Sequence, residues 1–253
     1  MKRPRAHRVS PDIPAIQPST MKIDPSFKLV AALILTGVFI ALFDSVHAAE
    51  PKAKRTHTRS GTYQDSNGKS GTINSAVTRG AGETVRNGTL TNQEGQTVTH
   101  AADRKWDKAT GTGTVSSSTT LPDGDTMGRQ GTLAKNADGS ISGQGTLTGY
   151  AGKTSTYANM TVKTAHGATT AGTITGPNGQ VSTVNSSATK TGLGASTRDT
   201  TVTGPNGKTA EKEIATQVNP DGTGTRVIQV TKPDGTTETR TETFTITPAP
   251  KGP

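Results

Sequence analysis

The chain has no cysteine among its 253 residues, which excludes disulfide staples and thiolate metal sites. Aromatic residues make up 3% and hydrophobic residues 28%, too little for the thick apolar core of an ordinary enzyme of this length. Long hydrophobic runs are equally scarce. The one present, Leu29 to Leu42, has 14 residues, whereas a membrane-spanning helix needs about 20. Beyond it, no segment repeats its apolar residues every 3.6 positions, so no amphipathic helix is expected. Threonine and glycine fill the space instead, at 48 and 30 residues, pairing a stiff β-branched side chain with the most permissive backbone. The formal charge of +9 permits anionic partners without requiring any.

The run Leu29 to Leu42 follows Lys22 and Lys28 and precedes Val46-His47-Ala48, the layout of a secretory signal peptide cut after Ala48. Residues 1–48 are therefore expected to be an N-terminal signal helix, with Met21 a better start than Met1, and the product to be secreted, periplasmic or on the cell surface. An uncleaved anchor is the alternative. Residues 49–60 form a basic linker, in which Lys52, Lys54, Arg55 and Arg59 are candidates for anion contact. Residues 61–247 form the repeat domain, and 248–253 a proline-rich tail.

The repeat is written in its turns. Gly68, Gly95, Gly124, Gly152, Gly179, Gly207 and Gly235 recur about every 28 residues, and Gly82, Gly111, Gly139, Gly167, Gly194 and Gly222 fall between them. The best-preserved turns carry proline, then Asn or Asp, then glycine: Pro177-Asn178-Gly179, Pro205-Asn206-Gly207, Pro220-Asp221-Gly222 and Pro233-Asp234-Gly235. That order suits a type I turn closed by a left-handed glycine. Between turns, Thr, Val and Ile alternate with the period of a strand. In the last segment Thr237 to Thr247 line one face, and Glu238, Arg240, Glu242, Phe244 and Ile246 the other. Short turns force antiparallel pairing. The expectation is an all-β, up-and-down meander of two-strand repeats, about 13 or 14 strands in a thin or single-layer sheet, with the sequence silent on whether its two edges close on each other. Residues 103–108 around Trp106 break the pattern, and the charges at Glu211-Lys212-Glu213 and Glu238 to Glu242 would discourage pairing at the edges. A disordered tether is the alternative for so core-poor a chain.

Motifs of chemistry are missing. The histidines after the signal, His57, His100 and His166, have no metal-ligand spacing, and Ser140 lacks the flanking glycines of a nucleophile elbow. No catalytic residue, cofactor, metal or small-molecule substrate is expected. Thr-x-Thr pairs such as Thr201-Val202-Thr203 raise ice binding as a minor reading. An outer-membrane barrel fits in strand number but lacks an apolar outward band and aromatic girdles. The turns Gly176 to Gly179 and Gly204 to Gly207, with the stretch Thr197 to Thr203, resemble those of secreted Thr/Gly-rich β-repeat proteins of Gram-negative bacteria; the resemblance implies export and a repeat fold but no activity. The expected function is a non-catalytic structural or adhesive component of the envelope or extracellular matrix, self-associating through sheet edges. The alternative is a binding module for anionic surface polymers: lipopolysaccharide, acidic glycan or extracellular DNA.

Overall fold

The computed structural model describes residues 54–149 and 152–248. The expected signal helix, the cleavage site at Ala48, Lys52 and the tail beyond Pro248 lie outside them. Fourteen strands follow one another: β1 (Arg55–Asp65), β2 (Ser70–Gly80), β3 (Glu83–Asn92), β4 (Thr97–Asp107), β5 (Thr112–Thr120), β6 (Thr126–Lys135), β7 (Ile141–Thr148), β8 (Thr154–Thr164), β9 (Gly167–Thr175), β10 (Val181–Gly192), β11 (Ala195–Thr203), β12 (Thr209–Val218), β13 (Thr223–Thr231) and β14 (Thr237–Pro248). Each pairs antiparallel with its predecessor and successor, as the short turns require.

The two edges of the meander, whose closure the sequence leaves open, are joined to each other. β1 pairs with β14 from His57↔Pro248 to Asp65↔Arg240, closing the sheet into a barrel. Closure satisfies the two rows of backbone groups that an open meander would leave bare, and leaves no edge for the self-association read from the sequence.

The turn grammar is realised in detail. Gly68, Gly95, Gly124, Gly139, Gly152, Gly179, Gly207, Gly222 and Gly235 all have φ between 69° and 87°. In the loop Gly176 to Gln180, the Gly179 amide donates to the Gly176 carbonyl at 2.9 Å and the Gly176 amide to the Gln180 carbonyl at 2.8 Å. Proline presets φ for such a turn, and the Asn or Asp after it ties the loop down. Thus Asp221 Oδ1 accepts from the Thr223 amide and hydroxyl at 2.9 and 2.7 Å, and Asp234 does the same for Thr236. Gly167 departs from its expected role: it opens β9, with its Cα hydrogens against the Ala188 carbonyl, and His166 remains in the turn before it.

Ala81 is the one non-glycine among the described residues with positive φ, at 50°, beside Gly82 at 77°. An L-residue with a Cβ pays roughly 1–2 kcal/mol in that region, which asparagine tolerates best. Ala81→Asn is therefore expected to raise stability by about 0.5–1 kcal/mol in a denaturant titration; no gain, or a loss, would contradict a left-handed Ala81.

The two faces of the wall differ sharply. Threonines 237, 239, 241, 243, 245 and 247 alternate with Phe244 and Glu242, which are buried, so the threonine face is outward and wet while the other face looks into the barrel. Tyr63, Ile73 and Phe244 pack inside with Leu90, Val218 and Ile246; a second group joins Tyr157, Ile174, Val184 and Val202 with Leu147. Fourteen strands spaced about 4.8 Å and tilted about 40° would enclose a circle of about 14 Å radius, so long inward side chains are needed to fill it.

Each described inward aromatic sits beside a bare stretch of wall. Tyr63 pairs with Gly71, Trp106 with Gly113, Tyr157 with Gly145, and Phe244 with both Gly61 and Gly224. A Cβ on Gly224 would stand 2.6 Å from the Phe244 ring, and one on Gly113 2.8 Å from Trp106. Trp106 thus belongs to an unbroken β4, not to the irregular segment expected at 103–108. It is the glycine opposite it that lets the strand continue past so large a side chain.

Candidate functional site

The first strand begins at Arg55, inside the stretch read as linker, because Thr56, Thr58 and Ser60 continue the outward alternation while Arg59 and Gly61 face in. The expected basic arm is therefore divided. Lys54 is exposed and bridges Glu83 at 2.8 Å, Arg55 is exposed at the rim, and Arg59 lies within the barrel.

Arg59 is one of a set. Arg55, Arg59, Arg79, Arg86, Arg104, Arg129, Arg198, Arg226 and Arg240, the nine arginines from residue 54 onward, all occupy inward register positions. Lys212 joins them from β12. Of the strand carboxylates, Asp65, Glu238 and Glu242 share that face, whereas Glu83, Asp103, Asp107, Asp199, Glu211 and Glu213 point outward. The interior is thus cationic and the outer wall carries most of the acid.

Glu242 organises one side of this interior. Only 3% exposed, its carboxylate is bonded by Arg59, lies 3.0 Å from Arg240 Nη2 and 3.7 Å from Arg226 Nη1. Register brings them together: Glu242 faces Tyr63 on β1 and Arg226 on β13, with Arg240 two residues away on the same face. Arg59 also stacks on Phe244 at 4.3 Å and Arg240 lies over Tyr63 at 5.7 Å, so aromatic faces hold the guanidinium planes in place. The charges expected to guard open edges at 211–213 and 238–242 prove to be partly interior groups, Lys212 and Glu242.

Burial and mutual repulsion disfavour so much positive charge. Desolvation, with Arg79, Arg198 and Arg59 nearby, holds Arg86 down to about 10; desolvation, with Arg59, Arg86 and Arg240 opposing Glu242, does the same to Arg226. Arg86 on β3 and Arg198 on β11 therefore feel one another across the interior. Arg104 and Arg198 are lowered for the same first cause, burial. His100, 2.8 Å from Thr119 Oγ1, is pushed down to about 4 by burial and by Arg86, and is neutral at pH 7. No group of three or more acidic, histidine or cysteine side chains able to hold a metal occurs among the described residues.

Lys212 is 6% exposed and lowered to about 7, by burial first and then by Arg240, Arg226 and Arg198, against the opposing pull of Glu242. A depressed amine costs stability below its folded value and ceases to do so above its ordinary value of 10.5. Between about 7 and 10.5 the unfolded chain binds a proton that the folded chain does not, so stability is expected to rise with pH across that window. Lys212→Met is expected to flatten the rise and to be the more stable protein at pH 7. Urea midpoints from pH 7 to 10 check both; a parent profile that falls with pH would contradict the interior placement of Lys212.

The arginine-lined interior is what reading the chain segment by segment missed. A signal was available: Arg59 alternates in phase with Tyr63, Arg129 with Met127, Arg198 with Val202, Arg226 with Ile228 and Arg240 with Phe244. Arginine sharing a face with the apolar residues, opposite the threonines, marks it as inward. No family model, no curated protein and no solved structure matches the chain.

Proposed function

We propose that the chain is an exported, non-catalytic barrel that binds an anionic ligand in its interior, the binding reading rather than the structural or adhesive one. The observation that carries it is the sorting of all nine arginines of the described residues to inward positions, while six of the nine strand carboxylates face out. Random placement on a two-sided wall would not sort charge in this way, and packing alone has no use for repelling guanidinium groups. Arginine is the side chain best matched to carboxylate, sulfate and phosphate groups, through its planar fork of donors. Acidic glycans and phosphorylated surface polymers carry those groups. The outward threonine wall suits an aqueous, extracytoplasmic setting. The adhesive reading has less behind it, since it drew on edges that the barrel closes.

Isothermal titration of the full chain with a short acidic oligosaccharide, at low and moderate salt, tests this. Saturable binding is expected, weakened about tenfold or more by Arg226→Gln. Lys52→Gln with Lys54→Gln is expected to leave it nearly unchanged. Binding that follows the two lysines and ignores Arg226, or no binding at all, would overturn the proposal.

A further inference from the structure

Strands β5 to β10 contain no acidic residue at all, yet Arg129 projects inward from β6 in their midst. Its guanidinium stacks 4.3 Å from the centre of the Tyr157 ring, and its Nε is sealed from solvent with no hydrogen-bond partner. Two further donors share that wall in the same condition. Ser155 is 4% exposed and Tyr157 7% exposed; the Oγ of one and the phenolic oxygen of the other are both sealed and unpartnered. Register places them on one stretch of the inner wall, with Leu147 between Arg129 and Ser155. Arg129 faces Leu147 on β7, Leu147 faces Ser155 on β8, and Tyr157 follows Ser155 on the same face, opposite Gly145. Around Glu242 the guanidinium groups of Arg59 and Arg240 have an interior carboxylate beside them, although the Nε of each is unpartnered there too; Arg129, Ser155 and Tyr157 share a stretch of wall where the chain supplies no anion.

A buried donor left without an acceptor is costly, and three in one patch are not a packing accident to be expected of a wall rich in small hydroxyl and glycine residues. We infer that Arg129, Ser155 and Tyr157 form a binding site for a carboxylate or phosphate group. The site deepens the interior-binding reading and rests on it. Arg129 supplies the charge, and the serine and tyrosine hydroxyls donate to the remaining oxygens. Leu147, Ile174 and Val184 lie alongside and would receive an apolar part of the same ligand, if it has one. Tyr157 acts twice, its face holding the guanidinium plane and its hydroxyl donating to the anion.

Titration of the full chain with inorganic phosphate, acetate and octanoate tests this. Octanoate binding well above acetate identifies the carboxylate of an amphiphile as the source; phosphate binding best identifies a free or polymer-borne phosphate. Either result supports the site if Tyr157→Phe and Ser155→Ala each weaken binding about tenfold while leaving thermal stability equal or higher, because each removes an unpartnered hydroxyl without disturbing packing. Arg129→Gln is expected to abolish measurable binding, and Arg129→Lys to recover only part of it. Unchanged affinity in both Tyr157→Phe and Ser155→Ala overturns the site. If the oligosaccharide still binds in an Arg226-dependent manner, the interior-binding reading survives that failure; if no anion binds the parent protein, both fall.

Discussion

Replacing Glu242 by glutamine is expected to destabilise the barrel by about 3–5 kcal/mol, the cost of leaving buried charges without their counter-ion. Glutamine matches the shape of glutamate but removes the one charge shared by Arg59, Arg226 and Arg240, with Lys212 nearby. Because Glu242 is almost wholly buried, solvent does little to screen that loss. The variant's denaturant midpoint should fall steeply with an unchanged slope, showing lost stability without a change in compactness. Adding Arg226→Met to Glu242→Gln is expected to recover part of the loss by removing one repelling charge. A single-variant loss under about 1 kcal/mol would mean that the groups are effectively in water, as for an exposed ion pair.

The second large effect concerns the wall itself. Gly145→Ala is expected to cost about 3 kcal/mol, at the upper end for overpacking a tight site. A Cβ there would fall on the Gln130 carbonyl oxygen and within 2.6 Å of the Gly131 Cα, so relief requires the backbone of β6 to move. The same shift would displace the Tyr157 ring, which lies across both glycines. Gly88→Ala provides the comparison. Its nearest neighbours, the Asn74 carbonyl oxygen and the Ser75 Cβ, are 3.5 Å away, so it is expected to change stability by less than about 1 kcal/mol or to raise it. Thermal unfolding of the pair checks the ranking, and equal losses would contradict the close approach of β6 and β7.

These cases mark what was legible in the sequence. The left-handed glycines announce the turns because no other residue takes that conformation cheaply, and the turn positions in order dictate strand number, length and antiparallel sense. The outward threonine face follows from alternation alone in β14. Closure was not legible, since an open and a closed meander share every local signal, and the decisive pairing joins residues at opposite ends of the domain, such as Thr62 and Thr243. The cross-strand partners of Trp106 and Tyr157 depend on register, so Gly113 and Gly145 read only as ordinary strand glycines until the strands are aligned. Composition alone puts Arg59 in a solvated basic arm, whereas its alternation with Tyr63 puts it inside. The grouping of Arg129 on β6 with Ser155 and Tyr157 on β8 is made across the intervening β7 and depends on register.

The interior exists only if the first and last strands meet, and the absence of native cysteine makes that contact easy to probe. Thr62 and Thr243 are register partners on the outer wall with hydroxyl oxygens 3.1 Å apart. In the double variant Thr62→Cys with Thr243→Cys, mild oxidation is expected to give a rapid, nearly complete cross-link within one molecule, seen as faster migration in non-reducing denaturing gels. Slow reaction, or cross-links that form only between molecules, would show an open sheet and remove the enclosed arginine-lined space altogether.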